Sequence, residues 1–238
     1  MNLRRADGRR PLVVGHRGAA AVAAENTLAS LEAAVAARAD VVEFDVGPDL
    51  RLAHSQREVP AAQITLDDAL EFLRAHDLGV HLDAKLPGYE AELVDAIDRH
   101  GLRERAVVST AWPATTRRLA RIAPHLPRAI GYPRDRYGVS RAPWPAPLTR
   151  AGAAALRTAM PARLPLLLRA ARANVLALHW TLCSGAAVRL AHRAGVPVLA
   201  FTVNDATEVE RLAALGIDGI VTDDPRMAAS VLATLDEP

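Results

Sequence analysis

Two short runs place charged residues at alternate positions among apolar ones. In Val41-Val42-Glu43-Phe44-Asp45-Val46, Glu43 and Asp45 are two residues apart, so on a strand they face one side and Phe44 the other. In His81-Leu82-Asp83-Ala84-Lys85 the same rule puts His81, Asp83 and Lys85 on one face. Carboxylates gathered in an apolar interior repel unless they are protonated, paired or metal-bound. An oxygen-only donor set favours a hard cation such as Mg2+ or Ca2+ over zinc. The plain alternative is a surface strand with ordinary acids, and the valines on both sides of the pair argue against it.

Lys85 is the sole lysine; the other 28 of the 29 basic residues are arginine. Its position suggests a need for a compact ammonium where a planar guanidinium does not fit. Three uses are open on spacing alone: holding a phosphate oxygen, forming a Schiff base, or a structural ion pair with Asp83 or Glu43. His16 ends the first apolar run beside Arg17, and His54 ends a short Leu50–His54 extension. Two histidines beside three carboxylates, an arginine and a lysine favour acid–base chemistry. Of the other histidines, only His179 falls at a strand end.

The elements that must position these residues alternate along the chain. Strands are expected at Leu12–His16, Val41–Val46, Val80–Lys85, Ala106–Ser109, Arg128–Gly131, Val175–His179, Val196–Phe201 and Gly219–Thr222. Helices are expected at Thr27–Ala37, Leu66–His76, Tyr89–His100, Ala114–Ile122, Ala153–Ala173 (broken by prolines), Gly185–Ala194, Ala206–Leu215 and Pro225–Leu235. Thr65 reads as an N-cap, and Gly79, Gly101, Gly195 and Gly216 as left-handed C-caps. Eight strand–helix units in one chain of this length fit a (β/α)8 TIM barrel, spanning residues 1–238 as a single domain; a doubly wound sheet is the competitor. Polar residues at the C-terminal ends of the strands (His16, Asp45, Lys85, Ser109, Gly131, His179, Asn204 and Asp223) favour a barrel mouth over a single crevice. Gly15-His16-Arg17-Gly18 lacks the spacing of a dinucleotide fingerprint. Ser55–Ile64 and Tyr132–Thr149 are irregular, and the second, with Tyr137, Pro143, Trp144, Pro145 and Pro147, is suited to a lid or substrate-contacting loop.

Composition narrows the classes further. The 238 residues are 50% apolar and only 4% aromatic, with a formal net charge of +2. This excludes a disordered chain, and no apolar run is long enough to span a bilayer. The arginines are spread among helices and few aromatics are present to stack on bases, so no nucleic-acid partner is expected. One cysteine, Cys183, and the lack of a secretory leader point to a cytoplasmic protein.

Gly15-His16-Arg17-Gly18, Glu25-Asn26-Thr27, Glu43-Phe44-Asp45-Val46 and His54, in that order, resemble the opening of the glycerophosphodiester phosphodiesterase family. Phe201-Thr202-Val203-Asn204 and Gly216-Ile217-Asp218-Gly219-Ile220-Val221-Thr222-Asp223-Asp224-Pro225 are similar to its close. The resemblance implies a TIM barrel that cleaves small glycerophosphodiesters to glycerol 3-phosphate and an alcohol. It implies that His16 and His54 are the acid–base pair and that Glu43, Asp45 and Asp83 hold a divalent metal, Mg2+ or Ca2+. Arg17 and Lys85 would grip the phosphate, and Glu25 would support the metal or substrate. The chain departs from the family at Ser55, where an aspartate is usual, at Asp83 for glutamate and at Phe201 for tryptophan. It also has only the 55–64 stretch where a helical insertion is common, so a more open site is expected. The alternatives are a non-catalytic phosphate-ester-binding barrel and a Schiff-base aldolase-type barrel using Lys85.

Overall fold

The computed structural model describes residues 1–6, 9–55, 64–134 and 146–235. Eight strands, β1 (Leu12–Gly15), β2 (Val41–Val46), β3 (Gly79–Ala84), β4 (Ala106–Thr110), β5 (Arg128–Tyr132), β6 (Val175–His179), β7 (Val198–Phe201) and β8 (Gly219–Thr222), pair in sequence order as a closed parallel barrel. The seam is β1 on β8, where Gly15 lies opposite Thr222. Helices alternate with the strands: α1 (Leu28–Ala36), α2 (Leu66–Arg74), α3 (Glu90–Arg99), α4 (Pro113–Ile122), α5 (Ala146–Ala171), α6 (Gly185–Arg193), α7 (Ala206–Ala214) and α8 (Pro225–Leu235). The chain is therefore a (β/α)8 TIM barrel, and the doubly wound alternative falls. No helix among the described residues is long and apolar enough to cross a membrane.

Every residue of β2 is buried, because one face meets the barrel interior and the other the helices. Phe44, Leu82 and Val108 point outward into a layer with Leu66, Leu70 and Leu73 of α2. Inside, Val14, Val41, Val107, Ala129, Val175, Leu199 and Val221 fill the lower barrel, with Leu3 packed beneath them. Above that apolar fill the interior turns polar, so the carboxylates sit on a rigid floor.

Local chemistry sets the helix ends. Thr65 caps α2 through the Asp68 amide and its own amide is capped in return, and Asp205 and Ser184 cap α7 and α6. Gly101, Gly195 and Gly216 adopt the expected left-handed conformation. Gly79 does not: it opens β3, and a Cβ there would lie 2.5 Å from Met1 Cε, so its smallness admits the N-terminal plug.

Helix α5 corrects the expected break at its prolines. It begins at Ala146 and runs through Pro161 and Pro165. Met160, Leu164 and Ala171 are buried in one cluster with the outward faces of β6 and β7, and that burial outweighs two missing amide donors. Tyr137, Pro143, Trp144 and Pro145 of the expected lid, and residues 56–63 of the first irregular stretch, lie outside the described residues.

Candidate active site

Strand register brings the two charged runs together. β2 pairs with β3 so that Glu43 lies opposite His81 and Asp45 opposite Asp83, while Asp83 lies opposite Ser109 of β4. Carboxylate oxygens of Glu43, Asp45 and Asp83 all fall within 4.8 Å of one another. Asp45 is fully buried. Lys85, just past β3, forms ion pairs with both Asp45 and Asp83, and the Arg17 Nε lies 3.0 Å from Asp45 Oδ2.

Backbone and amide donors complete the arrangement. The Arg17 amide donates to Glu43 Oε2 at 2.8 Å, and Ser109 Oγ donates to Asp83 Oδ1 at 2.6 Å. Asn26 Nδ2 donates to Asp45 Oδ2, and the Asp45 amide returns a bond to Asn26 Oδ1, both at 3.0 Å. Arg17 and Asn26 take positive φ values of 50° and 57°, so the β1–α1 loop is wound to aim both side chains at Asp45. Tyr89 Oη fixes the end of β3 by donating to the Val46 carbonyl and accepting from the Lys85 amide.

Charge in this cluster is unevenly compensated. Burial and the neighbouring Asp45 charge push the Glu43 carboxyl up to about 7. Burial opposes ionisation of Asp45 and Asp83 too, but Lys85 outweighs it and holds both below the usual carboxylate range. Lys85 in turn is held above its ordinary value, because its carboxylate partners overcome burial. An ammonium paired with two carboxylates is the opposite of the desolvated neutral amine that a Schiff-base nucleophile needs, which argues against the aldolase-type reading. Arg17 and Lys85 pair with Asp45 and Asp83, whereas Glu43 has no ion pair among the described residues and would ionise fully only with added positive charge. An oxygen-only set of this kind fits a hard divalent cation, which must share Asp45 and Asp83 with the Lys85 ammonium.

His16 belongs to a second constellation. Its Nδ1 lies 2.5 Å from Asp223 Oδ1 across the β1–β8 seam, and its backbone amide donates to Thr222 O at 2.8 Å. Asn204 Nδ2 donates to Asp223, whose amide returns a bond to Asn204 Oδ1 at 2.9 Å. Burial lowers the His16 pKa, but the Asp223 hydrogen bond and the Glu43 charge outweigh it, leaving His16 above 6.5.

A cavity of about 280 Å³ reaches from the carboxylate cluster to His16. His16, Arg17, Glu43, His54, Asp83 and Lys85 line its charged side, and Asp45 lies buried behind them. The opposite side is mostly small or apolar, with Ala111, Gly131, Ala177 and Phe201, and also carries Arg134, whose guanidinium lies over the Trp112 ring. Of the residues to which the resemblance gives a role, Glu25 stands apart: it is half-exposed and pairs with Arg17 Nη1 at 2.6 Å, outside the carboxylate cluster. His179 is turned to Thr181 at 2.8 Å and against the Phe201 ring, and it does not line the cavity.

Sequence reasoning passed over Asn26, His81 and the Asp223–Asn204 pair as site residues. Asn204 and Asp223 carried a signal, since both follow strand ends. Asn26 carried none outside the motif it sits in, because its link to Asp45 depends on a left-handed turn.

Comparison with known proteins agrees with this geometry. The model of the glycerophosphoryl diester phosphodiesterase family matches residues 16–47 and 55–227, leaving His54 between the matched segments. A glycerophosphodiester phosphodiesterase of Caldanaerobacter subterraneus subsp. tengcongensis is 25% identical over 90% of this chain and 94% of its own length. Among solved structures, a glycerophosphodiester phosphodiesterase of Agrobacterium tumefaciens superposes with a TM-score of 0.69 at 18% identity, covering 92% of this chain and 99% of that one. An Oleispira antarctica phosphodiesterase, solved with its product sn-glycerol 3-phosphate, superposes with a TM-score of 0.72 at 22% identity, covering 94% and 97%. With the family model matched over most of its length, this barrel belongs to the glycerophosphoryl diester phosphodiesterase family and is a phosphoric diester hydrolase.

Proposed function

We propose that the chain hydrolyses small glycerophosphodiesters to glycerol 3-phosphate and an alcohol, dependent on a divalent cation, with His16 and His54 as the acid–base pair. The observation that carries this reading is that one cavity is lined by His16 and His54, by two of the three clustered carboxylates, and by Arg17 and Lys85. Glu43, Asp45 and Asp83 would hold Mg2+ or Ca2+, which supplies positive charge to the phosphoryl oxygens. Arg17 and Lys85 add fixed positive charge on the same side and orient the diester. One histidine accepts the proton of the attacking water as the new P–O bond forms. The other donates its proton to the alcohol oxygen as the old P–O bond breaks. His16, with Nδ1 held by Asp223, leaves Nε2 for that exchange. Glu25 acts by steadying Arg17.

The test is product analysis with metal-stripped protein and a glycerophosphodiester. Turnover should vanish with chelator, return with Mg2+ or Ca2+, and be indifferent to borohydride. Absence of turnover with every divalent ion would leave a phosphate-ester-binding barrel instead.

A further inference from the structure

The chemistry of His81 is unspent. It is 3% exposed, it lies on the floor of the cavity between Glu43 and Val107, and among the described residues neither ring nitrogen has a hydrogen-bond partner. Buried polar atoms are nearly always paired, and a ring with both nitrogens unpaired in a closed structure carries a standing cost. It is not part of the carboxylate cluster that would hold a cation. Resting on the function proposed above, we infer that His81 is the residue that recognises a hydroxyl group of the substrate's glycerol moiety.

The chemistry of the ring selects that ligand. An imidazole with one protonated nitrogen offers one donor and one acceptor, as a hydroxyl does. A phosphate oxygen is acceptor-only, and the cavity already provides Arg17 and Lys85 for it. The cavity that His81 lines also has the right character for a small polyol. Gly131, Ala177 and Ala111 leave it open, and no crowding explains the glycine: a Cβ at Gly131 would come no nearer than 3.6 Å to Thr110 O. A glycerol carbon chain can therefore lie against small side chains with a hydroxyl turned down to the imidazole.

The test is His81→Leu, with His81→Gln as the variant that keeps donor and acceptor. Wild type is assayed first on sn-glycero-3-phosphoethanolamine and on bis(4-nitrophenyl) phosphate, which has no hydroxyl. Turnover of the second without the first overturns the functional reading and this inference with it. Given turnover of both, His81→Leu should raise KM for the glycerol ester about 10-fold or more and weaken inhibition by glycerol 3-phosphate equally. Inhibition by inorganic phosphate and kcat/KM for the nitrophenyl ester should change less than about 3-fold. His81→Gln should recover part of the loss. Equal losses on both esters, or equal loss of phosphate and glycerol 3-phosphate inhibition, would overturn the inference. So would a variant with wild-type KM, which would leave His81 with nothing but a buried water to bind.

Discussion

His16 and Asp223 are 207 residues apart in the chain, yet Nδ1 of one lies 2.5 Å from Oδ1 of the other. The contact exists because closure of β1 on β8 sets Gly15 opposite Thr222, so the residues that follow each strand meet. The histidine that sequence motifs single out is thus oriented by a carboxylate from the far end of the chain. It does not depend on a neighbour of His54, where Ser55 stands.

Asp223→Asn should lower kcat/KM by about 10²-fold or more, because it frees the imidazole to rotate and changes its favoured tautomer. The Asp223 bond helps hold His16 above 6.5, so whichever limb of the pH–rate profile belongs to His16 should move to lower pH in the variant. A pH profile with an unmoved limb would show that His16 does not titrate in the reaction.

The same pair makes stability depend on pH with a definite sign. His16 is raised above 6.5 on folding, so its contribution is fully present below pH 6.5 and is lost as pH rises through the folded value. Asp223 is lowered below 3.8, chiefly because the His16 bond outweighs burial, so its contribution is present above pH 3.8 and lost as pH falls through the folded value. Urea midpoints of wild type and Asp223→Asn should therefore differ most between those limits, near pH 5.5, and differ less at pH 9, where the His16 charge is gone and Asp223 keeps its Asn204 bonds and the Arg17 charge.

Lys85→Arg should nearly abolish turnover although the charge is retained. A guanidinium has to fit between Asp45 and Asp83, where the ammonium of Lys85 touches both. Lys85→Met should in addition cost about 3–5 kcal/mol in denaturant unfolding, since it strands two carboxylates without their shared cation. Wild-type turnover in Lys85→Arg would make the lone lysine an accident of composition.

Asn26→Ala should weaken Mg2+ or Ca2+ binding about 10–100-fold by calorimetry. The amide makes two hydrogen bonds with Asp45 and fixes its carboxylate plane. The variant also places alanine at a φ of 57°, which costs stability, so Asn26→Gly serves as the control that keeps the turn and loses the amide. Affinity unchanged in both would mean that Asp45 does not ligate the cation.

Much of this architecture was legible in the residue pattern, for identifiable reasons. Period-two charge in Val41–Val46 and Gly79–Ala84 placed Glu43, Asp45, His81 and Asp83 on shared faces, and β2–β3 register placed those faces side by side. Strand-end polarity pointed to a barrel mouth. What was not legible depends on closure or on tertiary packing. Asp223 needs the β1–β8 seam, Asn26 needs a left-handed turn, and the continuity of α5 through Pro161 and Pro165 needs the burial of Met160 and Leu164. The three uses open to Lys85 narrowed only when both flanking carboxylates were seen to hold its charge.

The most direct test of the two-histidine reading compares His16→Ala and His54→Ala on a natural glycerophosphodiester and on a 4-nitrophenyl phosphodiester. A poor alkoxide leaving group needs a proton, whereas nitrophenolate departs without one. Both variants should lose about 10²-fold or more on the natural ester, and the one lacking the general acid should keep most of its nitrophenyl activity. Full activity of His54→Ala on the natural ester would contradict the account.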